Sequence, residues 1–457
     1  MTPRPPSWIT KFFNGKNLLL IVLGVAATIL YRISLRAHVG NDIIWFLKLA
    51  LIQAIIFVAA TITVLRTKTS SATFVIVVGF AVLFRLSLLF SPPYLSDDIY
   101  RYVWDGRVQA AGVNPYRYVP ADPALAQLQD QTIYPHINRR DYAHTIYPPL
   151  SEAVFLLTTR ISESVTWMKT TMIFFEALAV WAIVELLAIL GLPRQRVLLY
   201  AWHPLAVWEF AGSGHADAIA IGCIGLALLA RQRRSKIGTG LSLGGSILGK
   251  SFPLVLAPAF YERWDWKMPL TLLLTIVIGY APYLGVGPAK AMVFLFGSAP
   301  ERGIESGEEF FILSAVRNLF GLHVSTAAYV GLALLVGAAT VSWILREQAR
   351  GRDDNIKHGL IVASVFLVLV SPHFPWYFAW IIPFLCFVPS PAVIYMTLAS
   401  YLLYLTWLGD APNQVLKMKS GIFLPALAVL VITMLVRRLF VGNPVTRTNE
   451  SEFSEEA

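Results

Sequence analysis

Long apolar runs alternate along this chain with short polar stretches, and one polar stretch is far longer than the rest. Runs at 18 to 36, 43 to 65 and 72 to 90 each approach the roughly 20 residues that carry a helix across a bilayer. After the long polar stretch, similar runs follow at 167 to 190, 197 to 212, 215 to 230, 268 to 286, 325 to 346, 357 to 371, 374 to 389, 391 to 408 and 421 to 439. Two shorter pieces, 237 to 249 and 252 to 264, flank Gly249-Lys250-Ser251 and predict a hairpin with the lysine at its tip. The pattern predicts an all-α, polytopic membrane protein of about 11 to 14 transmembrane helices, since lipid leaves no partner for backbone polar groups outside helices or closed barrels.

The long polar stretch covers residues 91 to 150, opening with SPPYLSDDIYRYVWDGRVQAAGVNPYRY and closing with HTIYPPLSE. Within it, Ile99 to Ala111 predicts a helix that Gly112 stops, with Ser96 or Asp97 as its cap. Arg101 and Asp105 are four apart and predict a pair on one helix face. Asp97 and Asp98 are adjacent, so on a helix they point about 100° apart and cannot both face one site. One is then a candidate base or metal ligand and the other a cap; both could also be plain capping acids. Tyr100, Tyr102, Trp104, Tyr116, Tyr118, Tyr134 and Tyr147 suit a membrane interface, or could stack on a sugar.

Charge then orients the runs. The cluster Arg231-Gln232-Arg233-Arg234-Ser235-Lys236, with Arg194 and Arg196, marks the cytoplasmic side. Both clusters fall inside only if the short run at 150 to 162, which holds Glu152 and Arg160, does not cross; it is predicted as an interfacial helix. The polar loop then extends over 91 to 163 and faces outside. A second outer loop is expected at 287 to 323, with Glu301, Arg302, Glu305, Glu308, Glu309, Arg317 and His323. Arg32 and Arg36 would lie outside, against the charge rule.

Composition agrees. The chain of 457 residues is 56% hydrophobic and 14% charged, with a mean hydropathy of +0.62. Its net charge of +10 falls in clusters between apolar runs, which speaks for orientation in a membrane and not for nucleic acid. Cys223 and Cys386 lie in apolar segments, so no disulfide framework is indicated. The basic amino terminus before Leu18 has no small-residue cleavage site and predicts an uncleaved first span. One membrane domain over 1 to 440 and a disordered acidic tail over 441 to 457 are expected.

Further candidate chemistry falls on the same outer side. Glu209, His215 and Asp217 converge around Gly212 and Gly214, and ionisable groups at membrane depth usually face a cavity; an interhelical hydrogen bond is the plainer reading. Lys250 could neutralise a phosphate or snorkel to headgroups. His373, Trp376 and Tyr377 in SPHFPWYF could line the same cavity, or the prolines could simply kink the chain. No Walker, Rossmann or HExxH motif is present.

Taken together, the acid pair, WDGR, NPY, YPPL, HPLxxxEFxGxGHxD, the lysine-tipped hairpin and SPxxPWY resemble the GT-C superfamily of integral-membrane glycosyltransferases over about residues 72 to 410. The chain is most similar to the bacterial polyprenol-phosphate-mannose-dependent mannosyltransferases, though two additional spans precede the loop. The resemblance implies transfer of a monosaccharide, mannose by this likeness, from a polyprenyl-phosphate donor to a lipid, glycan or protein acceptor. The setting it implies is a bacterial plasma membrane, with the site on the periplasmic or extracellular side. It places a base or metal ligand at Asp98 or Asp97, an assisting acid at Asp217 and a phosphate contact at Lys250. Arg101, Glu209, His215, His373 and Tyr147 are further candidates for substrate binding. A divalent cation, Mg or Mn, on Asp98 and Asp217 is compatible with such a site. An inverting displacement with an Asp base is expected. A transporter or flippase of lipid-linked sugar is the other reading; the aromatic loop and lack of an evident inverted repeat argue against it.

Overall fold

A computed structural model of the chain describes residues 14–40, 42–66, 68, 70–291, 310–409 and 413–441, and no described residue is in a strand. Three long helices come first, α1 (Gly15–Gly40), α2 (Ile43–Leu65) and α3 (Ser71–Leu89). The polar loop then holds α4 (Asp98–Ala110), two short turns of 3-10 helix and α5 (Pro149–Thr159). It is followed by α6 (Val165–Ile189), a broken helical segment over 194–212, and the hairpin α7 (Asp217–Gln232) and α8 (Lys236–Gly249). The rest comprises α9 (Lys267–Tyr280), α10 (Phe311–Phe320), α11 (Thr326–Ala349), α12 (Asn355–Val370), α13 (Pro391–Ala399) and α14 (Gln414–Val441).

Among the described residues, eight helices are long and apolar enough to cross a membrane. The remaining expected spans are broken or short. The 197 to 212 run bends through a wide π turn at Val207–Gly212, and 374 to 389 begins as the 3-10 turn Pro375–Ile381. The acids and bases expected over 301 to 309, and the tail beyond 441, lie outside the described residues.

Helix starts follow local chemistry. Asp42 Oδ1 accepts from the Trp45 amide at 2.9 Å, Ser164 Oγ from Trp167 at 3.1 Å and Asp354 Oδ1 from Lys357 at 3.0 Å. Each side chain satisfies an amide that the helix leaves without a partner. Helix α4 ends as expected, with Gly112 at φ +80° and its amide bonded to the Gln109 carbonyl at 2.9 Å. At its start, Ser96 and not Asp97 is the one of the two expected caps whose side chain meets a helix amide. Asp97 occupies the cap position without a capping bond, and the Asp98 amide instead donates to Ser96 Oγ at 3.2 Å.

Helix α5 has 11 residues, about 16 Å at 1.5 Å per residue, against a hydrocarbon core of about 30 Å. It cannot cross, in keeping with the parity of the basic clusters. It packs on α4 so closely that a Cβ on Gly106 would lie 2.5 Å from the Phe155 carbonyl oxygen. Arg107 ties the far side of the loop, donating to Asp130 and Glu163 at 2.8 Å each and to the Leu128 carbonyl at 2.9 Å. Against burial, Arg107 and the Tyr134 and Ile133 amides hold the Asp130 carboxyl far below the usual range.

Candidate active site

The expected site residues come from four separate stretches of chain, and most of them meet at one end of the bundle. Asp98 opens α4 half-buried, while Asp97 is exposed. Asp98 Oδ1 accepts from Asn138 Nδ2 at 2.9 Å. Burial, and after it the Asp98 carboxylate, push the phenols of Tyr102 and Tyr147 well above their ordinary value, with Asp217 adding to the effect on Tyr102. Asp98 and Asp217 therefore act on a common spot. Of the two adjacent acids that the sequence left open, Asp98 is the less exposed.

Asp217 lies in the first turn of α7, where the helix dipole favours an acid. The approach to it is set by Gly214 at φ +76°, where an added Cβ would lie 2.4 Å from Ile99 Cδ1 of α4. Only glycine combines that backbone with that contact. The Tyr102 hydroxyl accepts from the Ala216 amide at 3.4 Å, a second joint between loop and segment.

Lys250 follows the last residue of α8 in extended conformation, and Ser151 of α5 holds the preceding Gly249 carbonyl at 2.8 Å. Its ammonium lies 3.2 Å from Asp217 Oδ2, 5.8 Å from the Tyr147 ring centre and 5.1 Å from that of Tyr377. Lys250 is 5% exposed. One carboxylate and two ring faces leave its remaining N–H bonds able to take another anion.

Deeper in, Glu209 and His215 are fully buried, with Glu209 Oε2 and His215 Nε2 3.4 Å apart. Tyr404 donates to Glu209 Oε1 at 2.8 Å, and Trp376 stacks on His215 at 4.2 Å and 23°.

Two expected residues stand apart from this cluster. Arg101 is committed to the loop interior, donating to Asp105 at 2.8 Å, the pairing expected from their spacing, and to the Ala143 carbonyl at 3.0 Å. His373 meets Phe374 edge-on at 5.1 Å; it is Trp376 and Tyr377 that reach His215 and Lys250.

Inside the loop lies an acid pair that the sequence pattern does not single out. Glu152 is fully buried and accepts from Thr145 Oγ1 at 2.7 Å and Gln109 Nε2 at 2.8 Å. Burial and the neighbouring Asp105 carboxylate raise the Glu152 carboxyl well above its ordinary value, while Arg101 draws Asp105 back towards ionisation. Asp105 Oδ2 has no donor, and a proton on Glu152 supplies one. Asn138, Tyr404 and Glu152 carried no local signal beyond the rule that a buried polar group has a partner.

The side chains around Asp98 and Asp217 do not fit a divalent cation as they stand. Asp217 is engaged by an ammonium, and among the described residues no group of three or more His, Cys, Asp and Glu side chains is arranged to hold an ion. Magnesium prefers six oxygen ligands.

Fold and site thus define an all-helical, polytopic membrane protein whose acids and lysine gather beside a non-crossing amphipathic loop. The chain belongs to the alpha-(1->6)-mannopyranosyltransferase family, residues 18–264 matching the model of its N-terminal domain. It is similar to a protein of Mycolicibacterium smegmatis named "Probable alpha-(1->6)-mannopyranosyltransferase", 27% identical over 375 residues covering 69% of this chain and 66% of the relative. An alpha-(1->6)-mannopyranosyltransferase of Mycobacterium tuberculosis is 26% identical over 391 residues, 68% of this chain and 65% of the relative. The chain thus spans just under two thirds of the length of these curated relatives.

Proposed function

We propose that this protein is a membrane mannosyltransferase that moves a mannosyl residue from a polyprenyl-phosphate donor to a hydroxyl of a lipid, glycan or protein acceptor. The observation that carries the reading is the convergence of a half-open carboxylate, Asp98, with an unsaturated buried cation, Lys250. Family membership supplies the sugar. Asp98 takes the proton of the acceptor hydroxyl as its oxygen attacks the anomeric carbon. The bond from that carbon to the phosphate oxygen breaks, and its electron pair leaves with the polyprenyl phosphate. Lys250 then exchanges part of its contact with Asp217 for the phosphate, which stabilises charge where it develops. A single displacement inverts the anomeric centre. Tyr147 and Tyr377 wall the lysine, and Glu209, His215 and Trp376 form the floor beneath the sugar.

The proposed orientation is outward. Asp217 and Lys250 share one end of the α7–α8 hairpin, and the basic cluster from Arg231 to Lys236 sits at its other end. Basic clusters favour the cytoplasmic side.

The test is direct. Purified protein is incubated with polyprenyl-phosphate mannose and, separately, a nucleotide-linked mannose, and release of the carrier is measured together with the new glycosidic bond. Transfer from the polyprenyl donor alone is expected. Lipid translocation in vesicles without any new bond would establish a transporter instead.

A further inference from the structure

Two buried lysines outside the proposed chemistry sit at matching joints of the fold. Lys169, near the start of α6, is fully buried and donates to the Ser91 carbonyl at 2.7 Å and that of Leu88 at 3.5 Å. These are the carbonyls at the end of α3. Lys419, on α14 and 1% exposed, donates to the Ser371 carbonyl at 2.6 Å, just past the end of α12.

Both joints have the same local chemistry. A helix ends, a serine turns its hydroxyl back on a carbonyl, and a proline follows: Ser91 Oγ to Leu88 at 2.6 Å before Pro92, and Ser371 Oγ to Val368 at 2.7 Å before Pro372. Proline cannot continue the helical hydrogen bonds, so the chain leaves at a defined angle with its last carbonyls exposed. Those carbonyls carry partial negative charge, which an ammonium complements. Yet burying an ammonium against carbonyls, as at Lys169, is a costly way to finish a helix that a glycine cap finishes without charge.

What leaves each joint is the site. The first leads within seven residues to Asp98, and the second within six to Tyr377 over Lys250. The Lys169 stem also lies against the segment leading to Asp217, since a Cβ on Gly214 would lie 3.2 Å from Lys169 Cγ. One side chain thus touches the backbone leading to Asp98 and the backbone leading to Asp217.

We infer that Lys169 and Lys419 are positioning residues that set where the Asp98 and Tyr377 segments leave their helices, Lys169 aligning the base and Lys419 the wall of the phosphate pocket. The kinetic part of this inference rests on the mannosyl-transfer reading, and the structural part does not.

The test uses the full chain in detergent with Lys169→Met and Lys419→Met, which keep side-chain length and remove the charge. Hydrogen exchange in Lys169→Met is expected to rise at least tenfold over residues 94 to 98 and to stay unchanged in the hydrophobic centres of the spans. Lys419→Met is expected to do the same over 373 to 378. In the transfer assay, Lys169→Met lowers kcat at least tenfold with donor KM within twofold, and Lys419→Met raises donor KM at least fivefold. Lys169→Leu serves if the methionine variant does not fold. Unchanged exchange in both segments, or a rise spread evenly over the chain, overturns the inference. A wild-type protein that transfers no sugar would overturn the functional reading alone, since exchange still decides the positioning.

Discussion

Two buried ion pairs, Arg85–Glu176 between spans and Lys250–Asp217 in the site, use similar groups and end in different states. Arg85 meets both Glu176 oxygens, at 2.8 and 3.4 Å, and its third nitrogen donates to the carbonyls of Ala81 and Ala201. All three nitrogens of the planar guanidinium are engaged, and it rivets α3 to α6 and to the broken segment. Lys250 has one carboxylate oxygen at 3.2 Å and two tyrosine faces beyond 5 Å. A satisfied pair fixes a fold, whereas an unsatisfied one is ready to trade partners. The difference lies in coordination, since burial is nearly equal.

The largest expected effect lies next to the second pair. Asp98→Asn should lower the transfer rate about 10²- to 10⁴-fold, the usual worth of general-base assistance, with Tm moving by no more than a degree or two. An unchanged rate would remove Asp98 from the mechanism.

The contrast itself is sharpened by ligand. Arg85→Met strands a buried carboxylate and should cost about 3–5 kcal/mol of stability, yet the folded protein should still gain stability from polyprenyl phosphate. At about 100 times Kd that gain is about 2.7 kcal/mol. Lys250→Met should lose the gain. Thermal unfolding of both variants with and without polyprenyl phosphate decides; if Lys250→Met kept the ligand shift, the two pairs would be equivalent rivets.

Smaller effects follow around the loop. Gly214→Ala places a Cβ at φ +76° against Ile99 and should cost about 1–3 kcal/mol through backbone strain, read as a lower Tm with reduced turnover. The least effect belongs to Glu152→Gln. Burial and Asp105 raise the Glu152 carboxyl in the folded state, so the native protein holds a proton that the unfolded chain has released. Stability therefore falls as pH rises from about 4.5, the unfolded value, towards the raised folded value. A glutamine mimics the protonated acid. A Tm series from pH 5 to 8 should slope downward more steeply in the wild type than in the variant, and parallel slopes would contradict a proton on Glu152.

Much of this was legible before any coordinates, and the reasons are local. Apolar runs report spans because lipid enforces them. Parity of the basic clusters speaks against a crossing at 150 to 162, and α5 there has only 11 residues. The Arg101–Asp105 bond follows from helix periodicity. Illegible were contacts between distant segments, such as Asn138 on Asp98, Tyr404 on Glu209 and Trp376 on His215, since any buried acid needs a partner and nothing local names it. Of the two caps open for α4, the Ser96 hydroxyl is the one that reaches a helix amide.

The aromatic wall and floor of the site have a consequence for the order of synthesis. Asp98, Asp217 and Lys250 all precede residue 265, within the portion matched to the family, but the aromatic groups that complete their surroundings, Trp376, Tyr377 and Tyr404, are translated more than a hundred residues later. A nascent chain with its carboxylates and lysine already inserted would stand open, with Glu209 lacking its hydroxyl donor and His215 its stacking partner. Completion of the pocket thereby waits on helices that follow far downstream of the residues it encloses.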